Sequence, residues 1–173
     1  MSVTIVIFAL ILGLIAGISI GIITFPKREV KRLIREFKVK HHLSKGEFLH
    51  FSEKVDHTLK VIVKPNCETL YSTTFISKEK DYFLKIPSTD NYFSVAFLDE
   101  QTHVLGYITN EDLDKETTTS IVLSFNRDVN SENKVFYIDA KMCWVIVRYG
   151  QDSNGELEQA RNMQKEIQLI EIK

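Results

Sequence analysis

The sequence predicts a mainly β protein with flanking helices, an α+β chain behind one N-terminal transmembrane helix. Three observations predict it. Residues 2–26 carry no charged side chain and are mostly Val, Ile, Leu, Phe, Ala and Gly. Between Leu59 and Tyr149, about eight short β-rich segments alternate with turn signals. On either side of them, apolar residues recur at the spacing of a helix face. The β segments are expected to form an antiparallel β-sandwich or an open barrel, with a C-terminal amphipathic helix over the sheet.

The uncharged run comes first. At about 1.5 Å rise per residue it is roughly 37 Å long as a helix, against a hydrocarbon core of about 30 Å. A cleaved signal peptide is the competing reading. That needs a basic n-region and a small-residue cleavage site. No Lys or Arg precedes Lys27, and Thr24-Phe25-Pro26 is a poor cleavage site. The run therefore reads as a retained single-pass anchor, residues 1–26. Gly13, Gly17 and Gly21 fall four apart, near one helix face. Such a stripe lets a second helix approach closely, although glycine is also simply common in membrane helices.

Residues 27–43 read as a basic juxtamembrane amphipathic helix. Val30, Leu33, Ile34 and Phe37 stand at i, i+3, i+4 and i+7. Lys27, Arg28, Lys31, Arg32 and Arg35 make the rest basic. This helix is expected either to contact membrane lipid or a partner subunit, or to pack on the chain's own domain. The formal charge of −1 hides a polarity. Residues 27–60 hold ten Lys/Arg against five Asp/Glu, a net of +5, and residues 61–173 hold twelve against eighteen, a net of −6. The positive-inside rule, applied to this flank, argues for a cytoplasmic domain.

Residues 44–173 read as one β-rich domain, long enough to bury a core. Ser44 with Glu47 resembles a capping box and predicts a short helix near 45–56. Strands are expected at Leu59–Val63, Thr69–Ile76, Tyr82–Ile86, Tyr92–Leu98 and Thr102–Ile108. A polar loop follows, from Thr109 to Thr119, and then strands at Ile121–Phe125, Lys134–Ile138 and Cys143–Tyr149. Ser153 with Glu156 is a second capping box. Leu157, Ala160, Met163, Gln164 and Ile167 then continue at helical spacing.

Within this domain, Val63-Lys64-Pro65-Asn66-Cys67-Glu68-Thr69-Leu70-Tyr71-Ser72 resembles the Pro-Asn-x-Asp-Thr-Leu-Tyr-Ser signature of the DUF1254 family, a domain of unknown function. Phe83-Leu84-Lys85-Ile86-Pro87, Asn91 to Asp99 with Thr102-His103-Val104, and Trp144 to Gly150 resemble its later segments, in the same order. The likeness covers about residues 58–170. The Asp of the signature is Glu68 here, one methylene longer, and Cys67 fills the variable position. The resemblance implies a β-rich fold, a cell-envelope setting and a frequent DUF1214 companion, fused or neighbouring. It implies no reaction. It favours an extracytoplasmic domain, against the basic flank, and that is the side expected here.

The signature residues enter a strand, where alternate side chains share a face. Asn66, Glu68, Thr69, Tyr71, Tyr92 and Arg148 are the candidate ligand-binding set. Glu68 is expected to pair with Arg148 at the edge of the apolar layer. The alternative is a turn-capping Asn66 beside a structural Glu–Arg pair. The histidines are His41, His42, His50, His57 and His103, and none joins another ligand at metal-site spacing. No nucleophile elbow, phosphate loop or other cofactor motif is present, so neither a metal nor a cofactor is expected. Cys67 and Cys143 read as two buried thiols or one disulfide. Nucleic acid is not expected as a partner of an acidic β domain.

Three functions are compatible with these residues. The first is a non-catalytic accessory or structural subunit of a larger membrane assembly, a hetero-oligomer that includes a DUF1214-type partner if the resemblance holds. The second is a cell-envelope small-molecule-binding module. The third, with least support, is a hydrolase.

Overall fold

Among the described residues, nine strands and two α-helices make two stacked sheets behind one long helix. The computed structural model describes residues 3–55, 66, 68–150 and 157–172. Helix α1 spans Val3–Lys40 without interruption, although Pro26 lies inside it. The apolar and basic segments are therefore one rod, and the helix stops at Lys40 rather than at residue 43. Ser19 and Thr24 turn their hydroxyls back on the carbonyls of Ile15 (2.9 Å) and Ile20 (2.8 Å). Their hydroxyls are thereby satisfied within the apolar stretch.

The first sheet has the order β1-β2-β8-β4-β5, from β1 (Leu49–Phe51), β2 (Thr69–Ser77), β8 (Met142–Gly150), β4 (Phe93–Leu98) and β5 (Val104–Thr109). The second has the order β7-β6-β3-β9, from β7 (Lys134–Tyr137), β6 (Thr119–Ser124), β3 (Asp81–Ile86) and β9 (Gln168–Ile172). Every neighbouring pair is antiparallel except β6 with β7, which is parallel. The sheets stack as an open sandwich; no barrel closes among the described residues. Helix α2 (Leu157–Glu166) follows β8 in the chain and buries Ala160 and Gln164.

Alternation along β2 and β8 explains the layering. Leu70 and Ile76, with Cys143, Val145, Val147 and Tyr149, face the second sheet and meet Leu84, Ile86, Ile121 and Leu123. The opposite face carries Tyr71, Phe75, Trp144 and Ile146, and there Val30, Leu33 and Phe37 of α1 are seated. Both faces of the central pair are thus apolar, as expected for strands buried on both sides. Phe37 meets Phe75 edge-on at 5.1 Å, and Phe75 stacks on Trp144 at 5.6 Å. The indole N–H donates to Thr73 Oγ1 at 2.6 Å.

Two expectations need correcting. The helix expected near 45–56 does not form over the described part of that segment, residues 45–55. The Ser44–Glu47 bond does form, with the Ser44 N–H donating to Glu47 Oε2 at 2.7 Å. Gly46 then takes φ +86°, and the Tyr82 ring stands 3.0 Å from where a Cβ would be. That conformation ends the turn, and residues 49–51 pair with the free edge of β2 as β1 instead. The sequence also gave no warning of β9, which pairs with β3 at the end of the chain. The strand expected at Leu59–Val63 and the capping box at Ser153 fall outside the described residues.

Candidate functional site

The signature residues are placed by the turn that precedes β2. Asn66 caps it: the Glu68 N–H donates to Asn66 Oδ1 at 2.9 Å, and Thr69 Oγ1 donates to the Asn66 carbonyl at 3.3 Å. The Asn66 N–H in turn donates to the Tyr71 hydroxyl at 2.7 Å. Tyr71 is buried, so its phenol serves the turn rather than an open pocket. Glu68 is exposed, and no ion pair joins it to Arg148. The expected pair fails because Glu68 sits in the turn, one residue before the strand alternation begins.

Arg148 lies on the α1 side of the first sheet, opposite Tyr71 on one side and Ser94 on the other. Its guanidinium stands 5.9 Å from the centre of the Tyr71 ring, within reach of a cation–π contact. Tyr92 is exposed, and its hydroxyl lies 3.1 Å from Ser94 Oγ. Gly150 lets Tyr92 approach: a Cβ there would meet the Tyr92 Cβ at 2.6 Å, and the Gly150 N–H donates to the Tyr92 carbonyl at 2.7 Å. Asn66, Tyr71, Arg148, Ser94 and Tyr92 therefore form one row across three strands. Thr69 is buried and faces Gly150 in the ladder. Ser94 is the member of this row that sequence reasoning missed; only the β4–β8 register places it opposite Arg148.

A second concave region lies where α1 meets the domain. A cleft of about 470 Å³ opens between the first basic turns of the helix and the ends of β2 and β8. Val30, Ile34, Phe75, Ile76 and Met142 give it apolar walls, and Lys27, Lys31, Lys45, Lys78 and Lys141 line it as well. Lys45 is paired with Glu79 at 3.3 Å and also reaches Ser77 Oγ at 3.1 Å. Hydrogen bonding from Lys45 holds the Glu79 carboxyl below its ordinary range. Glu100 is the other acidic residue of the lining. Lys27, Lys31, Lys78 and Lys141 form no ion pair among the described residues.

Of the basic residues expected to meet a membrane or partner, Lys27 and Lys31 line this cleft. Arg28 and Arg35 are exposed elsewhere on α1, and Arg32 is held between Glu29 (2.8 Å) and Glu36 (2.7 Å). Gly13, Gly17 and Gly21 are exposed, with no atom within 4 Å of a Cβ added at any of them. Cys143 is a buried free thiol, and burial pushes its pKa up to about 12. Cys67 lies outside the described residues. Among the described residues no three His, Cys, Asp or Glu gather as a metal-binding group.

The family model for a protein of unknown function, DUF1254, matches residues 46–171. The chain belongs to the DUF1254 family. The fold also resembles two crystal structures. One is of a Vibrio parahaemolyticus protein (TM-score 0.64, 11% identity, 87% of this chain and 36% of that one). The other is of an uncharacterised Burkholderia cenocepacia protein (TM-score 0.55, 14% identity, 84% of this chain and 40% of that one). At such identities the likeness speaks for the fold alone. This DUF1254 chain spans well under half the length of either structural neighbour. No curated protein matches it in sequence.

Proposed function

We propose that this DUF1254 chain is a single-pass, membrane-anchored, non-catalytic accessory or structural subunit of a larger membrane protein assembly. The observation that carries the reading is the construction of α1. Its N-terminal half is long and apolar enough to cross a bilayer, and none of its most apolar stretch is buried by the domain. Its C-terminal half buries Val30, Leu33 and Phe37 in the first sheet. In this reading the same helix serves as both anchor and structural layer, so the domain is held close to the membrane. The open surface around Gly13, Gly17 and Gly21 suits a second transmembrane helix. The structural neighbours carry this fold within chains more than twice as long, so the remainder of such an architecture can come from another chain. A DUF1214-type subunit fits that role. We place the domain on the extracytoplasmic side.

Purification of the full-length chain in mild detergent tests this. A stable co-purifying membrane protein is expected, lost on Gly17→Ile. A monodisperse monomer without a partner overturns the reading. A second reading, a small-molecule-binding module, draws on the row of Tyr71, Arg148 and Tyr92. It expects a thermal shift of the full-length chain with an anionic ligand, abolished by Arg148→Gln.

A further inference from the structure

We infer that the lysine-lined cleft between α1 and the ends of β2 and β8 is a binding site for an anionic phospholipid, taking its headgroup phosphate among the lysines and its glycerol and first acyl carbons against the apolar walls. The inference rests on the reading of α1 as a membrane anchor.

Position is the first argument. Lys27 follows directly on Pro26, the last residue of the uncharged run. Lys31 stands one turn further along, about 6 Å at the helical rise. The cleft therefore opens within a headgroup layer's depth of the hydrocarbon boundary. Lys27 and Lys31 share a helix face, being four apart.

Convergence is the second. Lys78 and Lys141 are 63 positions apart in sequence, yet the Lys78 N–H donates to the Lys141 carbonyl at 3.3 Å. That bond closes the β2–β8 ladder just beyond Ser77 and Met142. It plants two ammonium groups at the sheet end nearest the basic turns of α1. Lys45 is brought in by its bonds to Ser77 and Glu79. Five lysines and two glutamates line the cleft, and the Lys45–Glu79 pair leaves four lysines against Glu100. An excess of cation of this kind next to a bilayer draws anionic headgroups.

Shape is the third. A site for free inorganic phosphate would be polar throughout. Here Val30, Ile34, Phe75 and Met142 supply walls that only a ligand with an apolar part can use. A phospholipid has both parts side by side, and Lys27, Val30, Lys31 and Ile34 interleave along the same two turns of α1, so the phosphate and the carbons next to it are met at one depth.

The test uses the full-length chain in detergent, titrated with short-chain phosphatidylglycerol and read by native mass spectrometry. Saturable binding of one phosphatidylglycerol is expected, with phosphatidylcholine binding far more weakly and inorganic phosphate failing to displace it. The variant Lys27→Gln/Lys31→Gln/Lys78→Gln/Lys141→Gln is expected to lose roughly tenfold or more in affinity. A variant with the same change of charge elsewhere, Lys40→Gln/Lys54→Gln/Lys115→Gln/Lys165→Gln, is expected to bind like the wild type. All eight lysines are exposed, so both variants should keep the wild-type thermal midpoint. Equal binding by the cleft variant, equal loss in the control variant, or displacement by phosphate overturns the inference. Alkaline carbonate extraction of membranes separates its failure from that of its premise. Release of the chain overturns the anchor and the site together, whereas retention of the chain with unaltered binding by the cleft variant overturns the site alone.

Discussion

Gly46, Phe37 and Cys143 each hold a position for a reason that a substitution can expose. Gly46 sits at φ +86° against the Tyr82 ring, where an L side chain costs about 1–2 kcal/mol. Gly46→Ala should lower the denaturant midpoint in detergent accordingly. Phe37 is nearly sealed between α1 and the Phe75 ring. Phe37→Ala should cost about 3–5 kcal/mol, the range for deleting a buried aromatic, read by chemical unfolding in detergent. Cys143 is a free thiol in the core, with its pKa raised by burial. In a Cys67→Ser background it should resist iodoacetamide at pH 8 and react only when the chain unfolds. Labelling of the native protein at the rate of an exposed thiol would contradict that placement.

At the scale of elements, α1 is divided by what surrounds it rather than by a break in the helix. Pro26 removes one backbone donor, but the helix runs through it to Lys40. Before Pro26 the side chains face open space; after it, every third or fourth one is buried in the sheet. Gly17→Ile should therefore leave the domain's unfolding midpoint unchanged, because a Cβ at that glycine meets nothing. A loss of co-purifying partner with no loss of stability would assign the glycine stripe to association. The sheet-facing half behaves in the opposite way. Helix α2 clips the β1 end, with Arg161 donating to the Ser52 carbonyl at 3.0 and 2.9 Å and Gln164 Nε2 donating to the carbonyls of Phe51 (3.1 Å) and Tyr71 (2.9 Å). These contacts hold a three-residue strand that local propensity alone would not keep.

For the whole molecule, the first sheet is covered on one side by its partner sheet and on the other by the C-terminal part of α1. A fragment of residues 44–173 lacks Val30, Leu33 and Phe37 and uncovers Phe75, Trp144 and Ile146. It should aggregate where the full chain in detergent does not, as judged by light scattering after size exclusion; a monodisperse, fully folded fragment would count against this packing. The core also sets an alkaline limit. Burial raises the Cys143 thiol from its ordinary 9.0 to about 12, and it raises the buried Tyr149 phenol too. Each keeps its proton in the folded chain at a pH where the unfolded chain releases it. The stability this represents is complete below the unfolded value and is lost as pH rises. It should fall by about 1.4 kcal/mol per pH unit for each group, from about pH 9 upward for Cys143 and from about pH 10 upward for Tyr149. Denaturant midpoints between pH 8 and 11 check this, and Cys143→Ala should flatten the decline.

The sequence by itself determined the long apolar helix, the basic flank, most of the strands, the C-terminal helix and the family. These are carried by runs and periodicities within a few residues, where local physics decides. It could not determine the pairing. Glu68 looked like a partner for Arg148 because alternation with Leu70 would bring it to the edge of the apolar layer; the turn capped by Asn66 keeps Glu68 outside that alternation. Residues 45–56 held a helix signal, but Gly46 and the open edge of β2 turned part of the segment into a strand. Lys78 and Lys141 carried no signal in the chain, and only the β2–β8 ladder sets them side by side. Which residues of α1 stand open and which meet the sheet was equally out of reach of the helix pattern. That was decided by the outer face of a sheet whose strands come from distant parts of the chain.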